Sequence, residues 1–155
     1  MTYLLLFAAC IVSPFMGFAE PLAVYFGATG TLSLVPAVVA IAAGQTVGFT
    51  LLYLFGAQIR ARVGWLRRRF EAFDFARLGR GRTMMTATAG VIGLPPANLL
   101  SLAGPMYDPR MAVFTGTILV GRVLRFAVLA GLPAVFGAIF DPELAPAWVQ
   151  GLLGG

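Results

Sequence analysis

Apolar residues run along this chain in stretches too long for the faces of a soluble fold, and polar residues interrupt them at a few points. Residues 1–59 carry one charged side chain, Glu20, while 83–107 and 126–140 carry none. A hydrocarbon layer of about 30 Å is crossed by roughly 20 apolar residues in helix, so the first 59 residues suffice for two crossings. Within them, Ser13-Pro14, Glu20-Pro21, Gly27-Ala28-Thr29-Gly30 and Pro36 predict breaks or kinks, because proline lacks the amide donor and clashes with the preceding turn. From Pro36 to Ile59 the apolar pattern is whole, and it predicts a transmembrane helix. Residues 83–107 are broken by Gly90, Gly93 and Pro95-Pro96, and Met111–Phe140 predicts a long helix carrying Arg122 and Arg125.

The pattern therefore predicts an all-α polytopic membrane protein, with a single membrane domain over 1–140 and a short tail over 141–155. Its halves, 1–59 and 83–140, each read as a broken apolar segment followed by a whole helix. Pro21 leads in six residues to Gly27, and Pro96 in eight to Gly104. On either side of one loop, this is the pattern of two inverted re-entrant hairpins with about three to four transmembrane helices. Irregular backbone at membrane depth needs protein or a water-filled cavity around it, and two facing hairpins would enclose one. The alternative is four plain helices over 2–26, 36–59, 84–107 and 111–140, kinked at their prolines.

Charge adds an orientation. The chain has eleven basic residues, all Arg, against six acidic ones. Eight of the Arg fall in 60–82 with only Glu71 and Asp74 against them, a net +6. Short Arg-rich loops stay on the cytoplasmic side, so a membrane surface accounts for the basicity better than nucleic acid does. Trp65, Leu66, Phe70, Phe73 and Phe75 predict a short helix lying in the headgroup layer there. The tail has no basic residue, as a non-cytoplasmic end should. A hydrophobic fraction of 59% and a mean hydropathy of +0.89 exclude an ordinary soluble domain. Met1–Glu20 lacks a basic start and an A-x-A site, and Phe7-Ala8-Ala9-Cys10 stands too near the start for lipoprotein cleavage, so the N-terminus is expected to be retained. With no His and one Cys, neither an intrachain disulfide nor a Cys/His metal site can form. No nucleophile–base set, phosphate loop or dinucleotide motif is present, so neither an enzyme nor a cofactor is expected.

Candidate chemistry lies in the polar residues inside the apolar stretches. Glu20 is either a buried carboxylate facing a partner, because a charge in lipid costs at least about 2.5 kcal/mol, or a carboxylate at the interface where the first helix emerges. Arg122 and Arg125, three residues apart, share a helix face. They form either a phosphate-binding pair, with Glu20 as counter-ion, or side chains that snorkel to an interface. Gly93-Leu94-Pro95-Pro96-Ala97-Asn98 is either a simple kink or an unwound stretch whose backbone, with Asn98, holds a headgroup. Ala40, Gly44 and Gly48 set small residues on one helix face for close packing, with Gln45 and Thr46 as possible cavity-lining groups.

Glu20-Pro21 with Gly27 and Gly30, then Gly44, Gly48, Tyr53 and Gly56, resemble the DedA/VTT (SNARE-associated Golgi protein) superfamily, and within it the small YqaA-like bacterial members. After the basic loop, Gly93, Pro95-Pro96, Ala103-Gly104, Phe114, Gly121-Arg122 and Arg125-Phe126 continue the likeness, over about residues 12–131. The resemblance implies two inverted re-entrant hairpins that include Pro21, Gly27, Gly30, Gly93, Pro95, Pro96 and Gly104. It further implies a bacterial inner (plasma) membrane location and movement of an anionic lipid headgroup across the bilayer, by transport or scrambling. Two family features are missing: no Pro-Gly-Glu follows Pro21, and Gly90 and Pro96 stand about where the family has arginines. Arg122 and Arg125 are then the positive groups, and Glu20, Asn98, Arg122 and Arg125 the expected substrate-binding residues. Anionic membrane lipids and a homo-oligomer are the expected partners. The competing functions are a proton-coupled exporter of small molecules, which two intramembrane Arg disfavour for cations, and a non-transporting membrane scaffold.

Overall fold

The computed structural model describes residues 1–71, 81–107 and 110–139, and all regular structure among them is helical. The elements are α1 (Thr2–Met16), α2 (Ala19–Thr29), α3 (Leu34–Arg62), α4 (Gly64–Glu71), α5 (Gly81–Val91), α6 (Ala97–Tyr107) and α7 (Met111–Ile139).

The break in the first half is not at either predicted proline. α1 runs through Ser13-Pro14 and ends at Gly17, whose φ of 67° only glycine adopts freely and whose N–H donates to the Ser13 carbonyl. α2 starts at Ala19, so Glu20-Pro21 lies in a first turn, where amides lack intrahelical acceptors and proline forfeits nothing. The two predicted interruptions are thus one turn between them, at Gly17-Phe18. In the second half, 92–96 separates α5 from α6, with Gly93 at φ 89° and a cis Leu94–Pro95 bond, where Gly93 and Pro95-Pro96 predict it. The break predicted at Gly27-Ala28-Thr29-Gly30 falls at its last residue, Gly30, whose φ of 60° ends α2; Gly27, Gly90 and Gly104 themselves sit inside helices, where their lack of a side chain serves packing instead.

α3 begins two residues before and ends three residues after the predicted 36–59. Pro36 falls in its first turn, and Arg60 and Arg62 supply positive charge to its last. α3 and α7 each have 29 residues, about 43 Å of helix at 1.5 Å per residue. They are the two described helices long and apolar enough to cross a membrane. α1, with 15 residues, spans about 22 Å and falls short. Of the expected three to four crossings, two have single helices of sufficient length among the described residues. α4 is the short helix expected in the basic loop; the rest of that loop, with Phe73 and Phe75, and the tail 141–155 lie outside the described residues.

The packing keeps its main pattern when the halves are exchanged. α1 packs on α3 as α5 packs on α7, and each half's second short helix crosses over, α2 onto α7 and α6 onto α3. The long helices pack on each other, joined by a Thr50–Thr115 hydroxyl hydrogen bond of 3.1 Å. Two apolar clusters result. One gathers Leu6, Cys10, Ile41 and Phe126; the other gathers Phe49, Tyr53, Phe114 and Ile118. Close approach depends on small residues. Gly44 lies against the Phe7 carbonyl and Cys10, Gly48 against the Ile11 carbonyl and Pro14, and Gly121 against Gly90. Ala40, the third residue of the predicted small face, is half-buried at the edge of the first cluster. Large apolar side chains remain outside on every long element, among them Leu4, Phe15, Val35, Phe55, Val120 and Val128.

Candidate functional site

The two long helices share a register as well as a length. Counted from their first residues, Ile41-Ala42-Ala43-Gly44-Gln45-Thr46-Val47-Gly48-Phe49 of α3 and Ile118-Leu119-Val120-Gly121-Arg122-Val123-Leu124-Arg125-Phe126 of α7 occupy the same positions. The Ile, Gly and Phe are identical, all six are buried, and each Gly seats its own half's first short helix. Tyr53 and Ala130 also correspond. Tyr53 is the residue against which Gly104 of α6 packs, and Ala130 the one against which Gly27 of α2 packs. Within this shared frame Arg122 is the counterpart of Gln45, and Glu20, second in α2, is the counterpart of Asn98, second in α6.

These four residues meet at one cavity of about 150 Å³, lined also by Ser13, Pro14, Gly17, Phe49 and Ala97. Arg122, 4% exposed, directs Nη1 to Glu20 Oε1 at 3.3 Å and lies over the Phe49 ring at 4.8 Å. The ring face favours the guanidinium by cation–π attraction, which offsets part of the cost of burying it. Arg125 Nε approaches the same carboxylate oxygen at 3.5 Å. Its Nη1 donates to the carbonyls of Ile92 at 2.6 Å and Val91 at 3.3 Å. Carbonyls at a helix C-terminus have no intrahelical donors, so Arg125 caps α5 and ties the end of that helix to α2 through Glu20. Gly93 stands beside this guanidinium, where any side chain would meet Nη1. Arg122 and Arg125 therefore do different work, although they share a face.

Ser13 was not among the residues the sequence singled out. Its hydroxyl accepts from the Ala19 amide at 3.1 Å, an unbonded first-turn donor of α2, and from Gln45 Nε2 at 3.2 Å. It thus holds the α1–α2 turn and fixes the Gln45 amide at once. Gln45 Oε1 and Arg122 Nε are buried with no hydrogen-bond partner. Asn98 is exposed at the rim and caps locally, its Oδ1 accepting from the Leu99 amide. Pro95 and Pro96 lie in the link before it, between α5 and α6. Gln45, expected as a cavity-lining group, lines the cavity, while Thr46 does not; for Phe49 the signal was the nine-residue likeness between α3 and α7.

A larger groove of about 340 Å³ runs between α5 and α7, lined by Ala87, Val91, Val120 and Leu124 among others, and carries no charged group. The charged side chains Glu20 and Arg122 line the smaller cavity. Among the described residues no group of His, Cys, Asp and Glu is placed to hold a metal ion. Comparison with known proteins finds no matching family model, curated protein or solved structure.

Proposed function

We propose that this chain is an integral membrane protein whose cavity binds an anionic lipid headgroup and passes it across the bilayer, as a transporter or scramblase. The observation that carries this reading is the Glu20–Arg122–Arg125 cluster among apolar helices, Arg122 buried and the other two half-buried, beside an open cavity whose lining residues Gln45 and Arg122 each hold an unpartnered polar atom. Arg122 is twelfth of the 22 residues in α7's apolar span, so the cluster lies at mid-depth if α7 crosses. Ionisable groups at that depth face one another or a water-filled path and mark the route of a polar substrate. Guanidinium is the side chain whose fork matches a phosphate.

The membrane placement is supported by what the helices leave outside. The core helix of a soluble protein would be mostly covered, yet only 28% of α7's apolar window is buried. Such a continuous apolar exterior needs lipid or protein against it. The helix–break–helix segments α1–α2 and α5–α6 suit paired re-entrant hairpins that enclose the cavity, with 60–82 cytoplasmic. Single cysteines placed along 14–36 and 86–107 test this. Re-entrant segments label at both ends from one side of the membrane, whereas plain crossings label from opposite sides. Native Cys10 is fully buried and should stay silent.

Transport is tested in proteoliposomes with a fluorescent anionic phospholipid. Arg122→Ala should lower translocation by about ten- to a hundredfold, the loss of one charge-assisted contact of roughly 1.5–3 kcal/mol, with the protein still folded in detergent. Wild-type rates in that variant would remove Arg122 from the route.

A further inference from the structure

The cluster is unbalanced. Glu20 is the one carboxylate among the described side chains, and two guanidiniums converge on it, Arg122 lining the cavity and Arg125 behind it, so the three described groups carry one excess positive charge beside the cavity. An uncompensated charge in such surroundings is costly, and a ligand is the means of compensating it. Neither guanidinium has a charged counterpart in the shared register, and Arg125 stands where α3 has Gly48. Position twelve of α7 is Arg122, and position twelve of α3 is Gln45, an amide of nearly the same reach that adds no charge. Gln45 is 2% exposed and lines the cavity, Ser13 takes its Nε2, and its Oε1 is buried without a partner. A carbonyl oxygen repels a second ionised oxygen, but it accepts from a hydroxyl or a bound water. Arg122 Nε, also unpartnered, offers the donor for one ionised oxygen. The volume is about five waters at roughly 30 Å³ each. That admits a tetrahedral oxyanion with a little water, and leaves the rest of a headgroup outside.

We propose that the cavity is selective for a singly charged phosphate-type oxyanion, held by Arg122 and limited to one negative charge by the neutral amide of Gln45. This rests on the reading of the cavity as the headgroup site and names its substrate class. The group is a phosphodiester of a lipid headgroup or the same oxyanion free in solution. A phosphate monoester in its dianionic form exceeds the available charge and meets the Gln45 carbonyl with its second ionised oxygen.

The test is binding to the full chain in nanodiscs at pH 9, where a monoester, with a second pKa of about 6, is dianionic. The probes are phosphatidylglycerol, a monoanionic diester, and phosphatidic acid, a monoester. Wild type should prefer phosphatidylglycerol by about tenfold or more, the worth of roughly 1.4 kcal/mol of charge mismatch. Gln45→Arg, which raises the excess to two, should reverse the order. Gln45→Glu, nearly isosteric and therefore safe for the fold, removes the excess and should abolish binding of both. Equal or stronger binding of phosphatidic acid by wild type overturns the proposal with no variant needed, as does undiminished phosphatidylglycerol binding by Gln45→Glu. Competition by free dimethyl phosphate but not by inorganic phosphate would place the charge rule in the oxyanion alone. Competition by neither would place it in the lipid form, and both results uphold the rule. Charge selectivity without translocation would overturn the transport reading alone, and translocation without charge selectivity would overturn this one alone.

Discussion

Glu20→Gln is expected to destabilise the folded protein by about 3 kcal/mol, near the low end for breaking a buried ion pair because Glu20 is 28% exposed. The substitution keeps size and shape but strands Arg122, which is 95% buried and has no other carboxylate among the described side chains. Arg125 suffers less, since its Nη1 keeps the Ile92 and Val91 carbonyls. The double variant Glu20→Gln/Arg122→Gln removes one charge of each sign and should recover most of the loss. Arg125→Gln added to Glu20→Gln should recover little and should loosen the α5–α6 link besides. Thermal or denaturant unfolding in detergent, arranged as a double-mutant cycle, checks this. Equal losses for all three would mean that the loss does not come from stranding Arg122.

The second large effect is steric. Gly44→Leu and Gly121→Leu should each abolish folding, because a side chain at either site enters backbone of the neighbouring helix, at Phe7 in one case and Gly90 in the other. Overpacking costs about 1–3 kcal/mol where side chains can give way, and more where backbone must move. Gly131→Leu is the control. It lies on the same helix as Gly121, a side chain there meets nothing within 4 Å, and glycine's helix penalty of about 1 kcal/mol is removed. Yield of monodisperse protein on size-exclusion chromatography separates the cases. A well-behaved Gly44→Leu would contradict the close α1–α3 approach.

The sequence carried much of this fold because the strongest signals were negative ones. The absence of charge over 1–59 and 83–107 marks the apolar elements, and the small face of Gly44 and Gly48 marks where α1 lies. Glu20, Arg122 and Arg125 stand out because charge is scarce around them, and the structure brings all three together. Other features were less legible. Proline marks a possible stop, but its effect depends on where in a helix it falls. Pro14 in a last turn and Pro21 in a first turn are both tolerated, and Gly17 between them makes the break. Gly27 and Gly104 read as loop glycines because a close approach to Ala130 or Tyr53 is a tertiary fact with no local trace. Ser13 was invisible for the same reason. Its partners are six and 32 residues away, and a serine in an apolar helix carries no sign of which amide it will cap. The separate duties of Arg122 and Arg125 depend on the α5 terminus arriving beside one of them and not the other.

The common register of α3 and α7 has an ancestral consequence. Two identical half-length chains assembled about the same interface would offer matching residues at positions two and twelve on both sides, so their ionisable groups would come only in even numbers. An odd charge at the centre becomes available only once the halves are joined and free to diverge. Gln45 as the counterpart of Arg122, Gly48 of Arg125 and Asn98 of Glu20 are differences of the kind that duplication and fusion make possible.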